Sequence, residues 1–300
     1  MKRAAASVLI LMMLICGFAR AEGELNVVAT SFPCYDFARQ VVGDRGEVTL
    51  LIRPGVEVHA YEPSPADIHA IGQADLFVYI GGEGDAWAER IIGGFEGEGG
   101  PVALKLMDSV IPLEEEASHG HGEPEYDEHI WTSPKNAAAM VEALAEGLCG
   151  VDPENAEAYR ACASDYTHRI LELDRQFRQV VEDGVRRTVV FADRFPFLYF
   201  VREYGLDYVA AFPSCSAETE PTPRTMMHLI ETVVAQHIPV IYTIEMSSQS
   251  VARTISEETG AKILTFHSAQ TVTQEEYDSG ASYVSLMEGN LEALREGLGR

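Results

Sequence analysis

The chain has 300 residues, of which 47 are acidic and 22 basic, so its formal net charge at pH 7 is −25. A surface this acidic repels nucleic acid and anionic lipid. The charge therefore excludes a function in which the chain binds either of them electrostatically. The length suffices for two domains or for one large domain.

The amino terminus has the pattern of a secretory signal peptide over residues 1–21. Two basic residues precede an apolar run over residues 8–18, and Ala19-Arg20-Ala21 offers a cleavage site. Cys16 is an alternative site for lipid attachment, although the bulky Ile15 before it disfavours that modification. We therefore expect export across the cytoplasmic membrane, to a periplasmic or cell-surface location.

Apolar runs of strand length alternate with helical segments along the rest of the chain. Runs such as Val27-Val28 and Val189-Val190 are typical of strands buried on both faces of a parallel sheet. We therefore predict an α/β fold with two lobes, each a roughly four-stranded parallel sheet flanked by helices. The predicted strands cover residues 25–30, 47–52, 75–80, 102–104, 188–192, 207–211, 239–244 and 262–266.

A long amphipathic helix is predicted between the two lobes. Asp152 suits an N-cap, Pro153 suits the first helical position, and apolar residues recur at three- and four-residue steps to about Asp183. Such a helix of about 30 residues would span about 45 Å and act as a rigid strut. The predicted domains are a first lobe over residues 22–151, the helix over 152–184 and a second lobe over 185–300.

Residues 113–126 lack an apolar period and carry glycine, proline and acidic residues, so we predict a mobile acidic loop on the first lobe. His119 and His121 within it indicate a low-affinity metal collector, with a solvated spacer as the alternative. The cysteines outside the leader show no metal-ligand spacing, and their disulfide state stays open, including a pairing of Cys149 with Cys162. These cysteines are Cys34, Cys149, Cys162 and Cys215.

Three histidines occupy turns next to predicted strands or helix starts. His59 lies five residues before Ser64-Pro65 and His129 lies four residues before Ser133-Pro134, and each Ser-Pro pair is typical of a helix start. His267 directly follows the last predicted strand. Because α/β sheets bind ligands at the carboxyl ends of their strands, we expect these loops to meet. Three imidazoles with one open position form a site suited to zinc.

Two carboxylates of the second lobe are candidates for a fourth ligand. Asp193 and Glu245 each follow a predicted strand, and both would face the same crevice if the sheet is parallel. Either could bind the metal, orient a histidine from behind, or pair with a nearby arginine such as Arg194.

Several stretches resemble the zinc/manganese solute-binding proteins of bacterial metal ABC transporters. They are FPCYDFA (residues 32–38), PGVEVHAYEPSP (54–65), DEHIWTSP (127–134) and ISEETGAK (255–262). The resemblance implies two α/β lobes joined by a long helix, with one metal ion in the cleft and with His59 and His129 as first-lobe ligands. It also implies two second-lobe ligands, at positions that hold Ala192 and His267 here, where a histidine or glutamate and an aspartate are usual.

We therefore expect a non-catalytic, monomeric, extracytoplasmic protein that captures Zn²⁺ with His59, His129 and His267 and delivers it to an ABC transporter permease. Three imidazoles favour zinc, whereas manganese prefers a carboxylate-rich set. The alternatives are a manganese-binding member of the same class, and a secreted zinc hydrolase in which Glu245 acts as general base on a zinc-bound water. An adhesin with a purely structural metal is a third possibility.

Overall fold

The structure is a computed structural model that describes residues 24–95, 97, 99–115, 126–213 and 220–299. Several of the sequence predictions fall outside the described residues. They are the signal peptide with Cys16, the loop histidines His119 and His121, and Cys215.

Two four-stranded parallel sheets form the framework, as the sequence predicts. The first contains β1 (Leu25–Ala29), β2 (Gly46–Leu50), β3 (Leu76–Tyr79) and β4 (Val102–Lys105), in the order β2-β1-β3-β4. The second contains β5 (Thr188–Phe191), β6 (Asp207–Ala210), β7 (Val240–Thr243) and β8 (Lys262–Thr265), in the order β6-β5-β7-β8. The order in which strands are added reverses between β1 and β3 in the first sheet and between β5 and β7 in the second. Parallel sheets bind ligands at the carboxyl ends of their strands next to such a reversal.

Helices cover both sheets and connect the strands. They are α1 (Phe32–Val42), α2 (Pro65–Gly72), α3 (Ala86–Gly94), α4 (Pro134–Val151), α5 (Ala156–Asp183), α6 (Leu198–Tyr204), α7 (Pro223–Ala235), α8 (Ser250–Thr259), α9 (Gln274–Asp278) and α10 (Tyr283–Leu298). Short 3₁₀ turns lie at Val58–Ala60, Leu106–Ser109, Ile130–Thr132 and Pro153–Asn155.

Both Ser-Pro helix starts form as predicted, and they fix the chain just after the first two histidines. At α2 the Asp67 backbone N–H donates to Ser64 Oγ at 3.3 Å, and the Ser64 N–H donates to Asp67 Oδ2 at 2.7 Å. At α4 the Asn136 N–H donates to Ser133 Oγ at 3.4 Å. These bonds, reciprocal at α2 and single at α4, satisfy backbone donors that the helix itself leaves unpaired.

The long helix α5 has 28 residues and follows the 3₁₀ turn at Pro153–Asn155. It packs against α1 and α4 beside the first sheet and against α10 beside the second. Asp152 does not cap α5; its Oδ2 accepts from Tyr159 Oη at 2.6 Å instead. The apolar stripe predicted from the sequence is the buried face of this helix, so one element is common to the cores of both sheets. The domain boundaries at residues 151 and 185 stay a prediction.

An aromatic cluster in the second lobe supports the segment that follows β8. Phe266 packs against Phe197, Phe200 and Tyr242, with ring centroids 5.0, 5.2 and 5.3 Å away. Rings at these separations and tilts attract one another beyond the free energy of burying their surface. The backbone just before His267 is therefore anchored firmly.

The described cysteines are free thiols, so no bond joins Cys149 to Cys162. Cys34 is fully buried, and burial raises the pKa of its thiol to about 12, which makes it unreactive at neutral pH. Within the described part of the chain, no helix combines the length and apolar character needed to cross a bilayer.

Candidate metal centre

His59, Glu128 and His129 form a cluster in the first lobe whose ligand atoms all lie within 4.8 Å of one another. His59 belongs to the 3₁₀ turn Val58–Ala60, and the other two residues come just before the 3₁₀ turn Ile130–Thr132. The imidazole centroids are 5.8 Å apart, and His59 Nδ1 lies 3.2 Å from Glu128 Oε1. Two imidazoles and one carboxylate are a donor set that zinc accepts.

A carboxylate behind His129 orients its ring. Asp127 Oδ1 lies 3.0 Å from His129 Nδ1, and it also accepts the His129 backbone N–H at 2.8 Å. Both side chains are almost fully buried, so this contact persists without competition from water. With its proton on Nδ1, the imidazole presents the Nε2 lone pair to a cation.

Glu128 is held in its charged form by its surroundings. Burial disfavours the carboxylate, but the hydrogen bond from His59 and the charges of His129 and His59 outweigh it, so the pKa of Glu128 is lowered. The Gly84 backbone N–H also donates to Glu128 Oε2 at 2.7 Å. A Cβ on Gly84 would approach Glu128 Oε1 to 2.6 Å, so a glycine is needed there for the carboxylate to approach the backbone.

Glu128 was missed by the sequence reasoning. The only signal for it is its position between Asp127 and His129 in the DEHIWTSP stretch. A run of two carboxylates and a histidine does not tell which oxygen faces the cleft, because side-chain direction in a loop depends on backbone angles that the run leaves open.

The second lobe contacts the cluster through Gln270. Gln270 Nε2 lies 3.1 Å from His59 Nε2, and Trp131 Nε1 donates to the Ser268 carbonyl oxygen at 2.8 Å. At the edge of the cleft, Arg194 Nη1 donates to Glu57 Oε2 at 3.0 Å. Sequence reasoning gave no indication of Gln270, since a single glutamine in a loop has no spacing or motif to distinguish it.

His267 does not join the other two histidines among the described residues. The Ala269 backbone N–H donates to its Nδ1 at 2.9 Å, and its Nε2 lies 3.6 Å from Glu276 Oε1. Its backbone N–H donates to Asn290 Oδ1 at 2.6 Å. The ring therefore faces its own loop, α9 and α10, and the expected set of three histidines reduces in the structure to His59 and His129.

The two candidate fourth ligands also lie outside the cluster. Glu245 Oε2 accepts the Ser268 backbone N–H at 2.8 Å, and its Oε1 accepts the Ser268 hydroxyl. Asp193 Oδ1 accepts the Arg194 N–H at 2.9 Å, while its buried Oδ2 has no hydrogen-bond partner among the described residues. Ala192 is buried in the apolar core of the second lobe and offers no donor.

Residues 27–297 match the family model described as zinc-uptake complex component A, periplasmic (ZnuA). The high-affinity zinc uptake system protein ZnuA of Bacillus subtilis is 33% identical over 299 residues, which cover 94% of this chain and 90% of that protein. The zinc-binding lipoprotein AdcA of Streptococcus pneumoniae is 32% identical over 300 residues, which cover 97% of this chain. The chain spans only 59% of the length of AdcA.

The fold has similar solved structures. The crystal structure described as the Zn(II)-bound ZnuA-like domain of Streptococcus pneumoniae AdcA superposes with a TM-score of 0.80 at 30% sequence identity. The superposition covers 93% of this chain and 100% of that domain. The fold of this chain is therefore shared with that domain of AdcA, over the whole length of the domain.

Proposed function

The chain belongs to the family of periplasmic zinc-uptake components (ZnuA), and from that premise we propose that it captures Zn²⁺ between its lobes and delivers it to an ABC transporter permease. The observation that carries the proposal is the group of His59, Glu128 and His129 at the inner edge of the first lobe. The extracytoplasmic location agrees with the family description and with the signal-peptide pattern of residues 1–21.

The donor set supports zinc over manganese. Two imidazoles and one carboxylate are ligands of intermediate softness, whereas manganese prefers carboxylate, carbonyl and water oxygens. Relatives named for zinc binding and zinc uptake point the same way. His59, Glu128 and His129 are our proposed ligands, and Gln270 is the proposed contact from the second lobe.

In the hydrolase alternative Glu245 is the general base, but it does not lie at the proposed site. Glu245 uses both carboxylate oxygens on Ser268 and is not part of the cluster, so it cannot activate a water bound there without breaking two buried hydrogen bonds. The similar proteins are named for zinc binding and zinc uptake, which supports a binding role over a hydrolytic one.

The distribution of ligands supports capture followed by release. The charged ligand and both imidazoles belong to the first lobe, whereas Gln270 of the second lobe is neutral. Separation of the lobes would therefore break no bond between the ion and a charged group. We infer that the ion stays with the first lobe as the cleft opens, and that a permease can then exchange ligands with it.

Zinc titration of metal-stripped protein against a chromophoric chelator tests the site. We expect His59→Ala and His129→Ala each to weaken zinc binding by at least about 100-fold. Loss of a group that is only hydrogen-bonded to a ligand already weakens metal binding by about 10- to 100-fold, and loss of the ligand itself should cost more. His168→Ala, on an exposed position of α5, is the matched control and should bind as wild type. Wild-type affinity in both cleft variants would overturn the proposed site, and tighter binding of manganese than of zinc would overturn the proposed metal.

Delivery is tested separately from binding. Cells that lack the gene should recover uptake of radioactive zinc when they express the wild-type chain, and should not recover it with His129→Ala. Equal recovery by both forms would show that uptake does not pass through the proposed cleft.

A further inference from the structure

The segment that joins the second lobe to the metal centre is the β8 loop, His267–Gln270. The Ser268 carbonyl oxygen of this loop accepts a hydrogen bond from Trp131 Nε1. Its last residue, Gln270, places Nε2 3.1 Å from His59 Nε2. Ala269 has a φ of 58°, in the left-handed region that residues with a side chain rarely adopt. A loop that places a non-glycine residue there needs contacts that hold it in that conformation.

The imidazole of His267 makes one of those contacts. The Ala269 backbone N–H donates to His267 Nδ1 at 2.9 Å, so the ring bridges two residues within its own loop. Asn290 on α10 fixes the backbone below the ring, since its Oδ1 accepts from the His267 N–H at 2.6 Å and its Nδ2 donates to the His267 carbonyl oxygen at 2.8 Å. All of these groups are buried.

The other ring nitrogen is directed at α9. Because Nδ1 accepts a hydrogen bond in this geometry, the proton of a neutral ring lies on Nε2. Nε2 is buried 3.6 Å from Glu276 Oε1 and makes no hydrogen bond among the described residues. Glu276 is itself held by the capping box of α9, where the Thr273 backbone N–H and hydroxyl both donate to Glu276 Oε2 at 2.8 Å. The hydrogen bond at Nδ1 therefore sets the ring orientation, and the Glu276 carboxylate lies beyond the other ring nitrogen.

With Nδ1 accepting a hydrogen bond and the proton on Nε2, neither ring nitrogen of His267 offers a lone pair to a metal. The ring is instead bonded within the loop that carries Gln270. We propose that His267 is a positioning residue, which holds the β8 loop in the conformation that keeps Gln270 against His59. The inference rests on the proposed zinc site, and it assigns to His267 an effect on zinc binding that passes through Gln270.

The experiment is a double-mutant cycle on zinc affinity, with wild type, His267→Ala, Gln270→Ala and the double variant. We expect each single variant to bind zinc roughly tenfold more weakly, the lower end of the effect of removing a partner behind a metal ligand. If His267 acts through Gln270, then His267→Ala should change the affinity less than about twofold in the Gln270→Ala background. Thermal stability is recorded for all four proteins.

His267→Asn distinguishes positioning from a general loss of packing. An asparagine oxygen can accept the N–H two residues later, as in an Asx turn, but its side chain is too short to reach Glu276. We expect this variant to recover most of the lost zinc affinity. It also keeps the test available if His267→Ala does not fold, because it too can be combined with Gln270→Ala.

The inference is overturned if His267→Ala binds zinc as wild type does, if the effects of His267→Ala and Gln270→Ala multiply fully, or if His267→Asn recovers no zinc affinity. A loss in His267→Ala as large as in His59→Ala would instead make His267 a ligand, contrary to the inference. Failure of the proposed function gives a different result, since His59→Ala and His129→Ala would then bind zinc as tightly as wild type.

Discussion

Replacing Asp127 by asparagine isolates the contribution of the carboxylate behind His129. Asp127 Oδ1 lies 3.0 Å from His129 Nδ1, and the two side chains are only 7% and 4% exposed. Asparagine keeps the size and one acceptor oxygen, but it removes the charge that holds the proton on Nδ1 and makes Nε2 a better ligand. Loss of such a partner weakens metal binding by about 10- to 100-fold. At about 1.4 kcal/mol per factor of ten, this corresponds to about 1.4 to 2.8 kcal/mol of binding free energy.

The assay is zinc titration against a chromophoric chelator at constant pH and ionic strength, with circular dichroism to confirm that the variant is folded. Asp165→Asn, on an exposed position of α5, removes the same charge far from the cluster and should leave the affinity unchanged. Zinc affinity of Asp127→Asn within twofold of wild type would refute the reasoning. An equal loss in Asp165→Asn would show that overall charge, rather than the contact with His129, determines the effect.

Two further predictions concern stability. Gly297→Ala on α10 would place a methyl group against the Tyr242 hydroxyl, so we expect a loss of about 1 to 3 kcal/mol in urea unfolding, whereas Gly289→Ala on the same helix meets open space and should be neutral or stabilising by up to about 1 kcal/mol. Equal effects of the two changes would contradict the packing argument. The His267 imidazole, whose Nε2 lies 3.6 Å from Glu276 Oε1, and the two hydrogen bonds from Thr273 together lower the pKa of Glu276 to about 2. The resulting stability is complete above the unfolded pKa of about 4.3 and is lost as the pH falls towards 2. The advantage of wild type over Glu276→Gln in urea unfolding should therefore shrink between about pH 5 and pH 2, and an advantage independent of pH would rule this out.

The strands could be read from the sequence because their physical signal is local. A strand buried on both faces of a parallel sheet needs apolar side chains at successive positions, and runs such as Val27-Val28 and Val189-Val190 supply them. All eight predicted strands appear, with ends within a residue or two of those observed. The long helix was predictable for the same reason, since its buried stripe repeats with the helical period.

The site was predictable only in part. His59 and His129 stand next to Ser-Pro helix starts, whose hydrogen bonds are local, so both were placed at the same edge of the first lobe. Glu128 has no such signal, and its role depends on a close approach to Gly84, which lies 44 residues earlier in the chain.

The second-lobe side of the centre was decided by the tertiary structure alone. The sequence placed His267 directly after the last strand, but the direction of its ring depends on Asn290, 23 residues later, and on Glu276 in another helix. The same contacts bring Gln270 rather than His267 to His59, which lies 211 residues earlier. Local patterns thus determined the sheets, the long helix and two of the proposed ligands. The direction of each loop side chain was left to contacts between distant segments, which no spacing within one segment records.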